Sequence, residues 1–310
     1  MDLDDNDDPY ESLPCGRSTP TYLFAGAAAG ILEHCVMYPV DVVRTRMQSI
    51  RPPIDHHKGF VGAFGYLIKT ERLRTFRGMA AVVTGAGPAH ALYFALYETC
   101  KHNIPNYLID PHSQTPLGPS RRALTHCVSG CVATVAHDAI MVPVDVVKQR
   151  MQMYKSPFTT SFTCAKHIFR NEGFKAFYRS YGTQLTMNLP YQAIHFVTYE
   201  FMQDVTNRDR RYNPAAHMTS GAVAGALASA VTTPLDVCKT LLNTQEKLAL
   251  LEANSERVAN LRQAAGLVYK CCGVGGYYQG LLARMVVAAP ATAISWSVYE
   301  FFKNYYINTV

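Results

Sequence analysis

The chain has 310 residues, 48% of them hydrophobic, with a mean hydropathy of −0.03 and a formal net charge of +6. Its bases are scattered and do not gather into a patch with interleaved aromatics, so nucleic acid is not an expected partner. Nine cysteines without a C-x-x-C pair indicate neither a zinc ribbon nor a disulfide framework, and no nucleophile–base set or phosphate-cradling loop points to an enzyme.

Residues 1–19 are acidic and polar, with five aspartates among the first eight, and read as a disordered tail. That composition is opposite to an Arg-rich, acid-poor transit peptide, so any targeting information is expected to be internal. From Thr21 to about Gln48 the pattern predicts a helix of roughly 28 residues, about 42 Å long, with a small-residue face at Gly26 to Gly30 and a kink at Pro39. It carries the first copy of a stretch that occurs three times: P-V-D-V-V-R-T-R-M-Q from Pro39, P-V-D-V-V-K-Q-R-M-Q from Pro143 and P-L-D-V-C-K-T-L-L-N from Pro234. A glycine stands thirteen residues before each of these prolines, at Gly26, Gly130 and Gly221. Such recurrence is an internal repeat and outranks local propensity. It divides the chain into modules at 20–107, 120–207 and 214–305.

After each first helix come a polar connection, a short helix and a turn: E-R-L-R-T-F-R-G ending at Gly78, E-G-F-K-A-F-Y-R-S ending at Ser180 and C-G-V-G-G-Y-Y-Q-G ending at Gly280. A second long helix follows, carrying Pro88, Pro190 or Pro290 and, nine residues later, Tyr97-Glu98, Tyr199-Glu200 or Tyr299-Glu300. The third module differs by an insertion around Gln245–Gln263. Charge-free windows at Gly78–Tyr97, Ser180–Tyr199 and Ala215–Leu235 run about 20 residues each, the length needed to cross a bilayer, and are rich in small residues that let membrane helices pack closely. The expected fold is an all-α membrane protein with six transmembrane helices in three pseudo-symmetric two-helix repeats. A soluble helical scaffold is the remote alternative.

Each repeated stretch sets an aspartate three residues before a base: Asp41/Arg44, Asp145/Lys148 and Asp236/Lys239. Alone, such a pair is a local surface contact worth well under about 1 kcal/mol. At equivalent places in a threefold bundle, each carboxylate can reach the base of the neighbouring repeat and close a ring across one mouth. Glu98/Lys101, Glu200/Gln203 and Glu300/Lys303 repeat the idea at the other mouth, with a glutamine in place of one base. Two rings at opposite ends suit two gates that alternate.

The triplicated P-x-D-x-x-[KR], the glycine-marked turns and the [YF]-E-x-x-[KR] pattern resemble the mitochondrial carrier family over about residues 20–305. The resemblance implies six transmembrane helices around a central cavity, short helices on the matrix side, and a multi-pass protein of the mitochondrial inner membrane working by alternating access. It also implies a matrix gate in which Asp41 pairs with Lys148, Asp145 with Lys239 and Asp236 with Arg44. The other ring becomes the cytoplasmic gate, cardiolipin sits at the helix ends, and the functional unit is a monomer. Repeat one departs from the family's E-G pattern with Glu71-Arg72, and has one residue fewer before Gly78.

Positions that differ between the repeats are candidates for substrate chemistry. The family's central contact points fall at Gly85-Ala86, Met187-Asn188 and Val287-Ala288, and none of these is a base, whereas anionic substrates need cationic partners. His90, two residues after Pro88, and His195, five after Pro190, add imidazoles; Asn188 and His195 share a helix face. The first helices offer His34, with Asp138 at the equivalent place, and Met37 and Met141 two residues before their prolines; His217 lies near the start of the fifth long helix. Imidazole, thioether and amide groups suit a divalent transition metal. For any one histidine the alternative is a hydrogen-bonded packing residue.

The stretches E-H-C-V-M-Y-P-V-D, G-A-G-P-A-H-A-L-Y-F, H-D-A-I-M-V-P and T-Q-L-T-M-N-L-P-Y-Q-A-I-H-F resemble the iron-importing members of the family. That resemblance sets His34, His90 and His217 on the iron path and Met187-Asn188 at a contact pair, while Ala288 stands where those sequences tend to have an amide. It implies import of ferrous iron, held transiently by His34, His90, His217 and Met187, with no permanent cofactor, in support of haem and iron–sulfur cluster synthesis. Another divalent metal or a small organic solute is the alternative cargo.

Overall fold

The computed structural model describes residues 19–50, 59–108, 119–154, 156–207, 213–246, 250–251 and 257–287, with backbone alone at 19–30 and 119–127 and at several positions between 98 and 108. Among these residues it is helical, with no strand. The long helices are α1 (Thr19–Met47), α3 (Met79–Leu108), α4 (Pro119–Gln152), α6 (Tyr181–Thr206) and α7 (Pro214–Thr244). The short ones are α2 (Gly59–Glu71), α5 (Ser161–Glu172) and α8 (Leu261–Cys272), each followed by a 3₁₀ turn, and a further helix, α9, is described over 281–287. By length and composition Arg74–Tyr97, Val128–Gln152 and Ala215–Thr244 suffice to cross a membrane.

Local chemistry sets the boundaries. Pro39, Pro143, Pro190 and Pro234 lie within their helices, where each removes a backbone donor from the ladder. Asn213 caps α7 by accepting from the Ala216 amide at 3.2 Å, with Pro214 in the first turn, and Thr160 caps α5 in the same way. Helices α5 and α8 end at Gly173 (φ 79°) and Gly273 (φ 63°). In repeat one the equivalent residue is Arg72, which takes the left-handed backbone (φ 43°) that glycine adopts without strain.

Each repeat owns a small core between its proline-bearing helix and its short helix. Val42 and Val43 pack with Ala63 and Leu67 in repeat one, Val146 and Val147 with Cys164 and Ile168 in repeat two, and Val237 and Cys238 with Ala264 and Val268 in repeat three. Ion pairs tie the same elements together. Arg46 meets Glu71 through two bonds of 2.7 and 2.8 Å, and Arg150 with Arg179 holds Glu172. The third repeat has Leu241 and Cys272 in these places, and both join its apolar core. Glycine is required at Gly78 (φ 91°), where a Cβ would sit 2.8 Å from the Tyr38 hydroxyl, and at Gly280 (φ 75°), where it would meet Gln48. Ser180, the second repeat's residue there, has an ordinary φ of −92°.

Candidate functional site: a closed ion-pair ring and an imidazole cluster

The three helices that carry the repeated stretch, α1, α4 and α7, converge where it predicts. Lys148 pairs with Asp41, Lys239 with Asp145 at 2.8 Å, and Arg44 with Asp236 at 2.6 Å, so that α1 joins α4, α4 joins α7 and α7 joins α1 in a closed triangle. Asp236 is the most heavily engaged carboxylate. It also accepts from Gln48 Nε2 at 2.6 Å and faces Arg284 of α9 at 3.3 Å, while Arg284 donates to Thr232.

A second, uncharged layer lies one helical turn further on. Thr45 donates to Gln152 (2.9 Å), Asn243 to Gln149 (2.9 Å) and Thr240 to Gln48 (3.1 Å), linking the same three helix pairs. In every case the residue six after one repeat's proline meets the residue nine after another's. The repeated stretch contains these residues, but their polarity alone says nothing of a partner. Each such bond contributes about 0.5–1.5 kcal/mol net.

Seven residues before Asp41 and Asp145, about 10 Å back along the helices, stand His34 and Asp138. Here the sequence-derived candidates gather. The rings of His34 and His90 are 6.0 Å apart, and those of His90 and His137 are 5.0 Å apart. Asp138 is buried, lies 3.4 Å from His137 Nδ1 and accepts from Asn188 Nδ2 at 2.6 Å; Gln184 donates to Asn188 at 3.2 Å. Thus α1, α3, α4 and α6 all contribute to one polar cluster.

His217 belongs to a different level. Its Nδ1 lies 2.6 Å from the Tyr199 hydroxyl and 3.0 Å from Gln203 Nε2, and Tyr199 in turn stacks on His195. Tyr199 is eleven residues beyond Asn188 on α6, about 16 Å along the axis. Gly85, Ala86 and Met141 lie in a packed seam: Ala86, Ala89 and Met141 form one apolar cluster with Ile31 and Ile140, and a Cβ at Gly85 would overlap Val144. Met37 and Met187 are buried. Glu200 and Gln203 stand in the last turns of α6, with Gln203 buried against His217. Ala288, Glu300 and Lys303, and the side chains of Glu98 and Lys101, lie outside the described residues.

Sequence reasoning missed His137, which follows no repeat signal, and Arg284, which lies six residues before Pro290 and outside the positions searched for bases. The Arg46–Glu71 and Arg150–Glu172 links were open to detection, since both arginines stand seven residues after the signature proline.

A family model described as "Mitochondrial carrier protein" matches residues 16–108, 120–210 and 210–310. Mitoferrin-2 of Homo sapiens is 52% identical over 301 residues, covering 96% of this chain and 80% of that protein. Mitoferrin-1 of Danio rerio is 52% identical over 303 residues (97% and 89%), and Mitoferrin of Caenorhabditis briggsae is 47% identical over 305 (96% and 95%). Matched in all three of its thirds, with a helical body closed by a triangle of ion pairs between them, the chain belongs to the mitochondrial carrier family.

Proposed function

We propose that this multi-pass carrier of the mitochondrial inner membrane brings ferrous iron from the intermembrane space into the matrix, supplying haem and iron–sulfur cluster synthesis. The observation that carries the reading is the cluster of imidazoles His34, His90 and His137, set about 10 Å from the closed ring. Imidazole is a suitable ligand for a divalent transition metal, and polar groups at membrane depth are costly unless used. The identity to mitoferrins over nearly the whole chain supports the same cargo. Arg284, the base that would favour an anion, is already committed to Asp236 and Thr232.

The ring of Asp41, Arg44, Asp145, Lys148, Asp236 and Lys239 serves as the matrix gate, closed here, and cargo enters from the opposite mouth. Metal held in the middle favours the state in which this ring opens and the pairs at Glu98/Lys101, Glu200/Gln203 and Glu300/Lys303 close. The middle link of that second set is a hydrogen bond, because Gln203 carries no charge. Binding is weak, since a cargo held in a tight cage would not leave. The repeats at 20–107, 120–207 and 214–305 supply all three sides of the gate within one chain, so a monomer suffices. Cardiolipin is expected at the ends of α2, α5 and α8.

Purified protein in cardiolipin-containing liposomes should take up Fe²⁺ in preference to Mn²⁺ and to an organic cation. Equal flux of the three, or flux of the organic cation alone, rejects the iron reading.

A further inference from the structure

We propose that His137 is a metal-contacting residue of the central site, paired with His90, and that Asp138 and Asn188 are the positioning residues that aim it. This rests on the metal-carrier reading and names the atoms that serve it.

Three observations carry the assignment. The first is spacing. A metal–nitrogen bond of about 2.0–2.1 Å plus roughly 1.1 Å from nitrogen to ring centre places two imidazoles sharing one ion at a tetrahedral angle with centroids about 5.2 Å apart. His90 and His137 stand at 5.0 Å, tilted by 59°.

The second is hydrogen bonding. His90 Nε2 and His137 Nε2 are both buried and have no protein partner. Buried polar atoms are nearly always satisfied, so two orphaned nitrogens on neighbouring rings invite a shared ligand. The third is orientation. Metal-ligating histidines usually give their other ring nitrogen to a carboxylate, which fixes tautomer and aim. His137 turns Nδ1 to Asp138 at 3.4 Å, and Asp138 is anchored by Asn188 of α6 at 2.6 Å. Asn188, expected from sequence at the substrate contact pair, spends an amide hydrogen on this anchor.

Among the described residues, no three histidine, cysteine or acidic side chains already converge on one point. The pair therefore offers two protein ligands, and water completes the ion's shell. His34 stands beside this pair, its ring 6.0 Å from that of His90. A two-imidazole seat is weak by construction, as a carrier requires.

The test uses the full chain in detergent micelles and, separately, in liposomes, with Co²⁺ as the spectroscopic probe. His137→Cys should give a thiolate-to-cobalt charge-transfer band that the unaltered protein lacks, because a packing residue would never touch the ion. His137→Ala should weaken the Co²⁺ absorption and raise the half-saturating Fe²⁺ concentration for uptake by about 10–100-fold, and Asp138→Asn should raise it by roughly tenfold. Thermal unfolding of each variant checks that it is folded. A folded His137→Cys protein without the new band, or a folded His137→Ala protein with wild-type cobalt spectrum, overturns the proposal. Failure of the unaltered protein to move Fe²⁺ would instead reject the iron reading and leave the cobalt result to stand alone.

Discussion

Asp236 shows how one residue can carry more than its copies. Asp41 and Asp145 occupy equivalent places, yet Asp236 alone gathers Arg44, Gln48 and Arg284 around a single oxygen. Removing it leaves the buried Arg284 without a carboxylate and Arg44 with Asp41 alone, 3.8 Å away, whereas removing Asp145 frees chiefly Lys239. Breaking a buried pair from one side costs about 3–5 kcal/mol. Asp236→Ala should fall in or above that range and exceed Asp145→Ala by at least about 1 kcal/mol, read from thermal unfolding in detergent; equal losses would mean that Arg284 contributes nothing. The three aspartates were legible from sequence because spacing alone sets which face of the helix they occupy. The special burden on Asp236 was not, since it arises from α9, nearly fifty residues further along the chain. His34 and His90 were legible for a similar reason, lying at fixed offsets from the repeated prolines. His137 has no such offset, and His217, taken from resemblance as a fellow of His90, joins Tyr199 and Gln203 at another level.

At the scale of elements, the three repeats solve one docking problem with two chemistries. Helices α2 and α5 are fastened by Arg46–Glu71 and Arg150–Glu172, while α8 is held by Leu241 and Cys272 in an apolar core. Burial pushes the Glu172 carboxyl up, but the hydrogen bonds and charge of Arg150, joined by Arg179, hold it below the ordinary value of 4.5. A carboxyl lowered by folding contributes stability that is fully present above that ordinary value and is lost as pH falls through the folded-state value. Hydrogen exchange should therefore show α5 losing protection in acid, below about pH 4.5, while α8 keeps its own. Equal loss in both helices would show that the ion pair does not fasten α5. The presence of each short helix was readable from the recurring order of a polar connection, a short segment and a turn before the second long helix. The apolar attachment of α8 was not, because Leu241 and Cys272 in place of an ion pair leave the pattern of elements untouched.

Over the whole molecule, threefold repetition made the architecture legible before any contact was known. Prolines at fixed offsets, glycines before them and turns after them imply three equivalent hairpins, and equivalent hairpins can meet only around a shared axis. What repetition hides is every feature that breaks it: the committed Arg284, the left-handed Arg72, the apolar link in repeat three and the off-pattern His137. The layer of Thr45, Gln48, Gln149, Gln152, Thr240 and Asn243 obeys the symmetry, and its chemistry has a bearing on energy conservation. An inner membrane stores its free energy as a proton gradient, and a row of titratable groups through a carrier would short-circuit it. The closed end sets this row of neutral amides and hydroxyls behind the charged triangle, and the acids near it, Glu71 and Glu172, are held by Arg46 and Arg150, so the row itself offers a proton from Asp41 or Asp236 no titratable group. Liposomes carrying this protein without metal should hold an imposed pH gradient as long as empty ones do, and replacing Gln152 by glutamate should shorten that time.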